Sequence, residues 1–277
     1  MARKVSAGMA LRPPNRRPPA GAPVPLIVLA AAGASFFVLP LLGLLVRTPW
    51  GSAWALLTSS EALTALRLSL LASLSATAIA VLLGVPLAWI YARVTFPGRA
   101  VLRALTVLPM VLPPVVGGVA LLLAFGRRGL IGGWLADAFG IHLPFTTAGA
   151  ILAETFVAMP FLVITVEAGL RAMDTRFEDA ARTLGARRWT VLWRVTLPLV
   201  RPSLLAGAVL CWARALGEFG ATITFAGNFP GRTQTMPLAV YLALETGPQS
   251  AIVLSLVLLL VSLAVLVGLR DRWLGAS

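Results

Sequence analysis

The sequence predicts an all-α membrane protein with six transmembrane helices and both termini on the cytoplasmic side, and three observations carry that prediction. Hydrophobic residues make up 58% of the 277 positions and charged residues only 12%, a balance too apolar for a soluble domain of this length. The apolar residues fall in runs of about 20, the length a helix needs to cross a hydrocarbon core of roughly 30 Å. Arginine is concentrated between the runs, on alternate loops, as expected where positive charge is retained on one side of a bilayer. Helices are the natural spanning element because each satisfies its own backbone polar groups in lipid.

Taken in order, residues 1–24 form a basic, Pro-rich stretch in which Arg3, Lys4, Arg12, Arg16 and Arg17 lie among Pro13, Pro14, Pro18, Pro19 and Pro23. This composition predicts a disordered cytoplasmic tail. A cleaved signal peptide is the competing reading, disfavoured because the following run from Leu26 to Val46 is long enough to span. Residues 25–277 then read as one membrane domain. Its later spans run from Leu63 to Tyr91, Val101 to Phe125, Thr147 to Gly169, Leu199 to Phe225 and Ala251 to Leu269. No internal repeat of solenoid type is visible. Between Gly126 and Phe145, Trp134, Leu135, Phe139 and Ile141 are compatible with a short amphipathic helix on the outer face. It either packs on the bundle or receives an external protein.

The formal charge of +13 is the kind of footprint that phosphate-binding proteins carry. Here the charges flank apolar spans, so topology accounts for them and nucleic acid does not. With the N-terminus inside, seventeen basic residues fall on the cytoplasmic side: the tail, Arg93, Arg99, Arg103, the seven arginines from Arg171 to Arg201, and Arg270 with Arg272. Only Arg47, Arg127, Arg128 and Arg232 fall outside. Arg67 and Arg214 lie within spans. A single cysteine, Cys211, and a single histidine, His142, exclude a disulfide framework and a multi-histidine metal site. Lys4 is the sole lysine, so this chain holds no GxxxxGK[ST] phosphate loop. If ATP drives its activity, nucleotide and Mg²⁺ belong to another polypeptide, and no cofactor is expected here.

One loop, from Arg171 to Pro198, is too polar for lipid and too patterned for a passive linker. Asp174 can cap a helix, with Glu178 and Asp179 near its positive end. Ala180 and Ala181 favour helix without bulk, and Gly185 suits a C-terminal cap. Asp179, Ala180 and Ala181, then Gly185 after three residues, Val195 after nine more, and Leu197-Pro198 resemble the EAA loop of ABC importer permeases. The family usually has Glu where this chain has Asp179, and Glu178 is adjacent. The resemblance implies a type I ABC importer permease fold and a helix near residues 174–190 that couples to a cytoplasmic ATPase. Arg187 and Arg188 would then pair with acidic groups there, or serve only to hold the loop inside.

Further segments resemble the molybdate and sulfate branch of these permeases: Pro86-Leu-Ala-Trp89, Leu108 to Val115, Phe125 to Leu130, and Ala213 to Ala221. Thr222 to Asn228 and Thr235 to Tyr241 are closer to the molybdate members. The resemblance implies a homodimer of twelve helices in the bacterial cytoplasmic membrane, an ATPase dimer and an extracytoplasmic molybdate-binding protein. Tungstate is inseparable by sequence, and a sulfate or thiosulfate permease is the alternative. An ion-gradient-driven secondary transporter is the alternative of another class, but it leaves the EAA-like loop unexplained. No nucleophile motif or carboxylate pair points to catalysis.

Within the spans, Arg214 and Glu218 have helical i,i+4 spacing and can interact. Charged groups at that depth generally face protein or a watery path, so the pair marks either a path or gate, or a structural ion pair. Glu154 is a weaker candidate of the same kind. Pro109, Pro113 and Pro114 remove backbone donors from the third span, next to Gly117 and Gly118. This broken stretch either lines the passage, with Thr222 and Thr224, or is a simple kink.

Overall fold

The computed structural model describes residues 23–274. The predicted tail lies outside the described residues up to position 22, as do the side chains of Arg270 and Arg272. The chain divides into two compact units, Met1–Val46 and Arg47–Ser277. The first unit contributes α1 (Val24–Arg47), an apolar helix of 24 residues with Pro40 inside it.

The second unit opens with α2 (Trp50–Leu57) and α3 (Ser60–Arg93). Ser59 starts α3, its hydroxyl accepting from the Ala62 amide at 3.3 Å, with Glu61 in the first turn, an arrangement that satisfies the helix's positive end. At 34 residues α3 is about 51 Å long and so outreaches the hydrocarbon core. Then come α4 (Arg99–Val107), a 3₁₀ turn over Leu108–Met110, α5 (Pro114–Phe125), α6 (Gly132–Phe139) and α7 (Thr147–Ala172). Thr146 caps α7 by accepting from the Gly149 amide at 3.0 Å. The polar loop forms α8 (Arg176–Thr183) and α9 (Arg188–Val191), then a π turn over Leu192–Thr196. Last are α10 (Leu197–Leu199), α11 (Arg201–Leu216), α12 (Gly220–Ala226), α13 (Met236–Thr246) and α14 (Pro248–Leu274).

Among the described residues four helices, α1, α3, α7 and α14, are long and apolar enough to cross a membrane, and counting each of two bent pairs as one span brings the number to six. The bends replace two helices that the sequence predicts as continuous. Across Val101–Phe125, α4 with its 3₁₀ turn meets α5 at 120°. The cause is local: Pro109, Pro113 and Pro114 offer no N–H, Pro113 is extended at ψ 131°, and Pro114 restarts the helix at its first position, where proline is preorganised. The second bend, 71°, falls at Val200 between Leu199 and Arg201, and the helix breaks again between Leu216 and Gly220. The sequence does not reveal α13, whose eleven residues span only about 16 Å. The outer helix expected around Trp134 is present as α6, with Ile141 beyond its end.

The core is a three-helix contact among α3, α7 and α11. On α3 the buried positions Ala65, Ala72, Ala76, Ala80, Gly84 and Ala88 form a stripe of small residues at helical spacing, the kind of surface that lets helix backbones approach closely in lipid. A side chain added at Gly84 would meet Leu162 and Val163 of α7 at 2.8 and 3.1 Å. On α11, a Cβ added at Gly207 would meet the Leu162 carbonyl at 3.2 Å, and Gly169 of α7 faces Ser203. Gly169→Val therefore overpacks this crossing, and a loss of about 1–3 kcal/mol is expected. Gly51→Val, where nothing lies within 4 Å, provides the control. Thermal unfolding of the detergent-solubilised chain should show a lower Tm for the first variant and an unchanged one for the second.

Candidate coupling surface and intramembrane polar cluster

The polar loop folds from its own capping chemistry. The Asp174 carboxylate accepts from the Arg176 amide at 2.9 Å, so the cap sits one residue before Thr175, which is the N-cap position. At the other end Gly185 adopts φ +85°, a conformation that costs other residues about 1–2 kcal/mol. Its amide donates to the Arg182 carbonyl at 2.9 Å, and the Ala186 amide reaches back to Ala181 at 3.0 Å. These two bonds constitute a Schellman closure, which accounts for the glycine at this spacing.

Glu178 and Asp179 diverge. Asp179 is exposed and pairs with Arg182 at 3.3 Å, a surface contact of small energetic consequence. Glu178 turns inward and is only 4% exposed. One of its oxygens accepts from the Thr196 hydroxyl at 2.7 Å, and the other faces Arg93 Nε at 3.5 Å. Glu178 thus ties α8 to the end of α3 and to the π turn that leads into α11. The carboxylate presented outward at this turn is Asp179. A cleft of about 400 Å³ runs behind α8, lined by Arg93, Glu178, Arg188 and Thr196 among others.

An apolar strip is exposed on α8: Phe177, Ala180 and Leu184 fall at i, i+3 and i+7 on one side of the helix. Gly185 continues this surface, with nothing within 4 Å of a Cβ placed there. Arg187 and Arg188 are exposed, as is Pro198, whereas Ala181 and Leu197 are half-buried. Trp189 and Trp193 pack edge to face, with ring centroids 5.8 Å apart, and both remain exposed.

Deeper in the bundle, Arg214 Nη2 meets Glu218 Oε2 at 2.6 Å. The pair forms across the break between α11 and α12, not along one continuous helix. The break explains the second bond of Glu218, whose other oxygen accepts from the Ala221 amide at 2.8 Å, one of the donors that a new helix start leaves unpaired. Glu218 is 1% exposed and Arg214's side chain 28%. Glu154 of α7 is equally buried, within electrostatic range of Glu218, and its Oε2 has no partner. Thr222 is fully buried with an unpartnered hydroxyl.

The structure brings α12 onto α5, and so joins most of the predicted path residues. Pro114 Cβ lies 2.7 Å from where a Gly220 side chain would begin, and Gly118 faces Thr224 just as closely. Thr224 donates to the Gly220 carbonyl at 2.8 Å and so is occupied locally. Pro113 and Pro114 stay exposed at the tip of the bend.

Sequence reasoning passed over Glu167. This buried carboxylate of α7 receives Arg103 Nε at 2.9 Å and a forked pair from Arg171, Nε at 2.9 Å and Nη2 at 2.6 Å. Arg171 also donates to the Tyr91 carbonyl at 3.2 Å, so the ends of α3 and α7 are tied to each other and to the middle of α4. The i,i+4 spacing of Glu167 and Arg171 was the available signal. At the opposite end of α7, the Thr147 hydroxyl donates to the Arg232 carbonyl at 2.8 Å.

Broken spans, buried intramembrane ion pairs and a capped helix projecting beyond the spans define a multi-pass membrane permease. A family model described as the binding-protein-dependent transport system inner membrane component matches residues 80–276. The chain belongs to that family. It is 49% identical over 257 residues to the molybdenum transport system permease protein ModB of Mycobacterium tuberculosis, covering 92% of this chain and 96% of the relative. The Escherichia coli protein of the same name is 44% identical over 211 residues, covering 75% and 92%. The Escherichia coli sulfate transport system permease protein CysT is 38% identical over 201 residues, covering 73% and 72%.

Among solved structures, a chain of a bacterial ABC transporter involved in the import of the acidic polysaccharide alginate superposes with a TM-score of 0.66 at 18% identity. The match covers 90% of this chain and 91% of that one. The chain shares this importer-permease fold. Removing the Thr196 hydroxyl while leaving Glu178 buried should cost about 1–3 kcal/mol. Thr196→Val should therefore accelerate tryptic cleavage after Arg176, Arg182 and Arg187 roughly tenfold. Asp179→Asn, on the exposed side, should leave the cleavage rate unchanged.

Proposed function

We propose that this chain is the membrane permease of a molybdate importer in the bacterial cytoplasmic membrane, with both termini in the cytoplasm. It would operate as a homodimer with a cytoplasmic ATPase dimer and an extracytoplasmic binding protein. The observation that carries the reading is the construction of α8. Its exposed surface presents apolar Phe177, Ala180 and Leu184, while its inner face is fastened by Glu178 to Thr196 and Arg93. A helix built this way transmits a push. The similarity to molybdenum permeases at 44–49% identity supports molybdate as cargo, and tungstate shares its charge and tetrahedral shape.

The linkage suggests how a push would travel. ATP and Mg²⁺ on the partner would supply the driving closure, with no catalytic step on this chain. Displacing α8 would carry the ends of α3 and α11 through Glu178. At the far end of α11, the Arg214–Glu218 pair fixes the orientation of α12, and α12 is packed against α5 at Gly118 and Gly220. Motion of α11 would therefore reposition the α5–α12 contact, where the bend at Pro113 and Pro114, with Thr222 and Thr224 opposite, forms the candidate gate. Access would alternate between the two sides of the membrane.

The sulfate reading has its own support in the 38% identity to the sulfate permease. Reconstituted transporter, with its ATPase and binding protein, should hydrolyse ATP faster with molybdate or tungstate than with sulfate. Stimulation by sulfate alone would move the cargo while keeping the importer. Gly185→Arg, at an open position on the docking face, should abolish both stimulation and uptake without preventing membrane insertion. Normal stimulation in that variant would remove α8 from the ATPase contact.

Arg214→Ala should reduce uptake more than Arg232→Ala. Because the single change strands the buried Glu218 at a cost of about 3–5 kcal/mol, the decisive variant is Arg214→Ala with Glu218→Gln. Uptake that stays low in the correctly inserted double variant assigns the pair to the gate. Recovery of uptake would make it a structural tie.

A further inference from the structure

The arginines of α4 and of the end of α7 enclose more than the topology signal requires. A cavity of about 830 Å³ opens there, with Thr95, Phe96, Arg99, Arg103, Val107 and Arg171 in its walls. Three guanidiniums border it against one carboxylate, Glu167, which is buried and held by Arg103 and Arg171. Each guanidinium has five N–H donors. Arg103 spends only Nε on Glu167, and Arg99 makes only a long 3.4 Å contact to the Val94 carbonyl. The cavity is thus left with excess positive charge and with donors facing open space.

Its position fits a lipid. Both α3 and α7 are candidate spans, and the cavity lies where they end. The wall formed by α4 is amphipathic: Arg99 and Arg103 share one side, while Val101, Leu102 and Leu105 are exposed. Since α4 leaves the direction of α5 by 120°, it has the character of an interfacial helix, charged on one face and apolar on the other. Basic pockets between transmembrane helices favour anionic head groups.

We propose that Arg99, Arg103 and Arg171 bind the phosphate of an anionic phospholipid, with its acyl chains lying along Val101, Leu102 and Leu105. The shared chemistry is a tetrahedral oxyanion, so a free phosphate or molybdate ion is the rival occupant. The excess of apolar surface around the cavity favours the lipid. The site is independent of which ion is transported.

The test is native mass spectrometry of the full-length chain released from detergent containing equal amounts of phosphatidylglycerol and phosphatidylcholine. Phosphatidylglycerol adducts should be retained at least about tenfold over phosphatidylcholine, and Arg99→Gln should lower that preference about fivefold. Arg99 is the informative position because it does not contact Glu167, so its loss leaves no buried charge unpaired. Arg103→Gln should act in the same direction, and Arg232→Gln at the opposite end should have no effect. Equal retention of the two lipids, or a preference untouched by Arg99→Gln, overturns the proposal. Displacement of the adduct by millimolar phosphate or molybdate overturns it in favour of a free-oxyanion site.

Discussion

In hydrocarbon an apolar side chain gains little by leaving lipid for a neighbouring helix, so helices associate through close packing and through polar groups that lipid cannot satisfy. The contact among α3, α7 and α11 obeys that constraint at every level. Alanine and glycine line the α3 face, and Gly169 and Gly207 set the crossing of α7 with α11. Leucine and valine are left mostly on the outer faces. Because the backbones are so close, these three helices have little freedom to slide. Motion is expected where they end or break.

Among the described residues, three of the four buried carboxylates are placed at such an end or break. Glu167 gathers arginines where α3 and α7 terminate beside α4. Glu178 binds α8 to the start of the α10–α11 segment. Glu218 bridges the α11–α12 interruption, using one oxygen for a guanidinium and the other for a free backbone amide. A charge buried without a partner is expensive, so each of these three carboxylates fixes a junction that lipid packing alone would leave loose. Glu154 departs from this pattern, with one oxygen unpartnered beside the α12 junction.

The sequence makes the spans legible because their signal is long and nearly free of charge, and it makes the α8 loop legible because capping residues and glycine act locally. Gly185 is the clearest case: a Schellman closure needs only the residues within one turn of it. The Arg214–Glu218 pair is also visible as an i,i+4 spacing, although the break that separates the two residues is not. What stays hidden depends on tertiary contact. Nothing local distinguishes Glu178, which turns inward to Thr196 eighteen residues away, from Asp179, which faces out. The 120° bend is only half visible: prolines announce an interruption but not its angle. Short α13 escapes because span length is the criterion that identifies the others.

The arginines of the second unit show why a single charge pattern can support several functions without conflict. Under the positive-inside rule their placement between spans acts by number alone, and it is indifferent to what each guanidinium touches. Local contacts are therefore free to specialise. Arg93 faces the carboxylate of the α8 anchor, Arg171 forks onto Glu167, and Arg182 pairs loosely on the surface. Arg99 and Arg103 border a cavity. A substitution that conserves charge, Arg to Lys, would preserve the topological count but lose the planar fork that Arg171 presents to Glu167. The two roles are separable in this way, and the geometry at Glu167 is the more demanding of them.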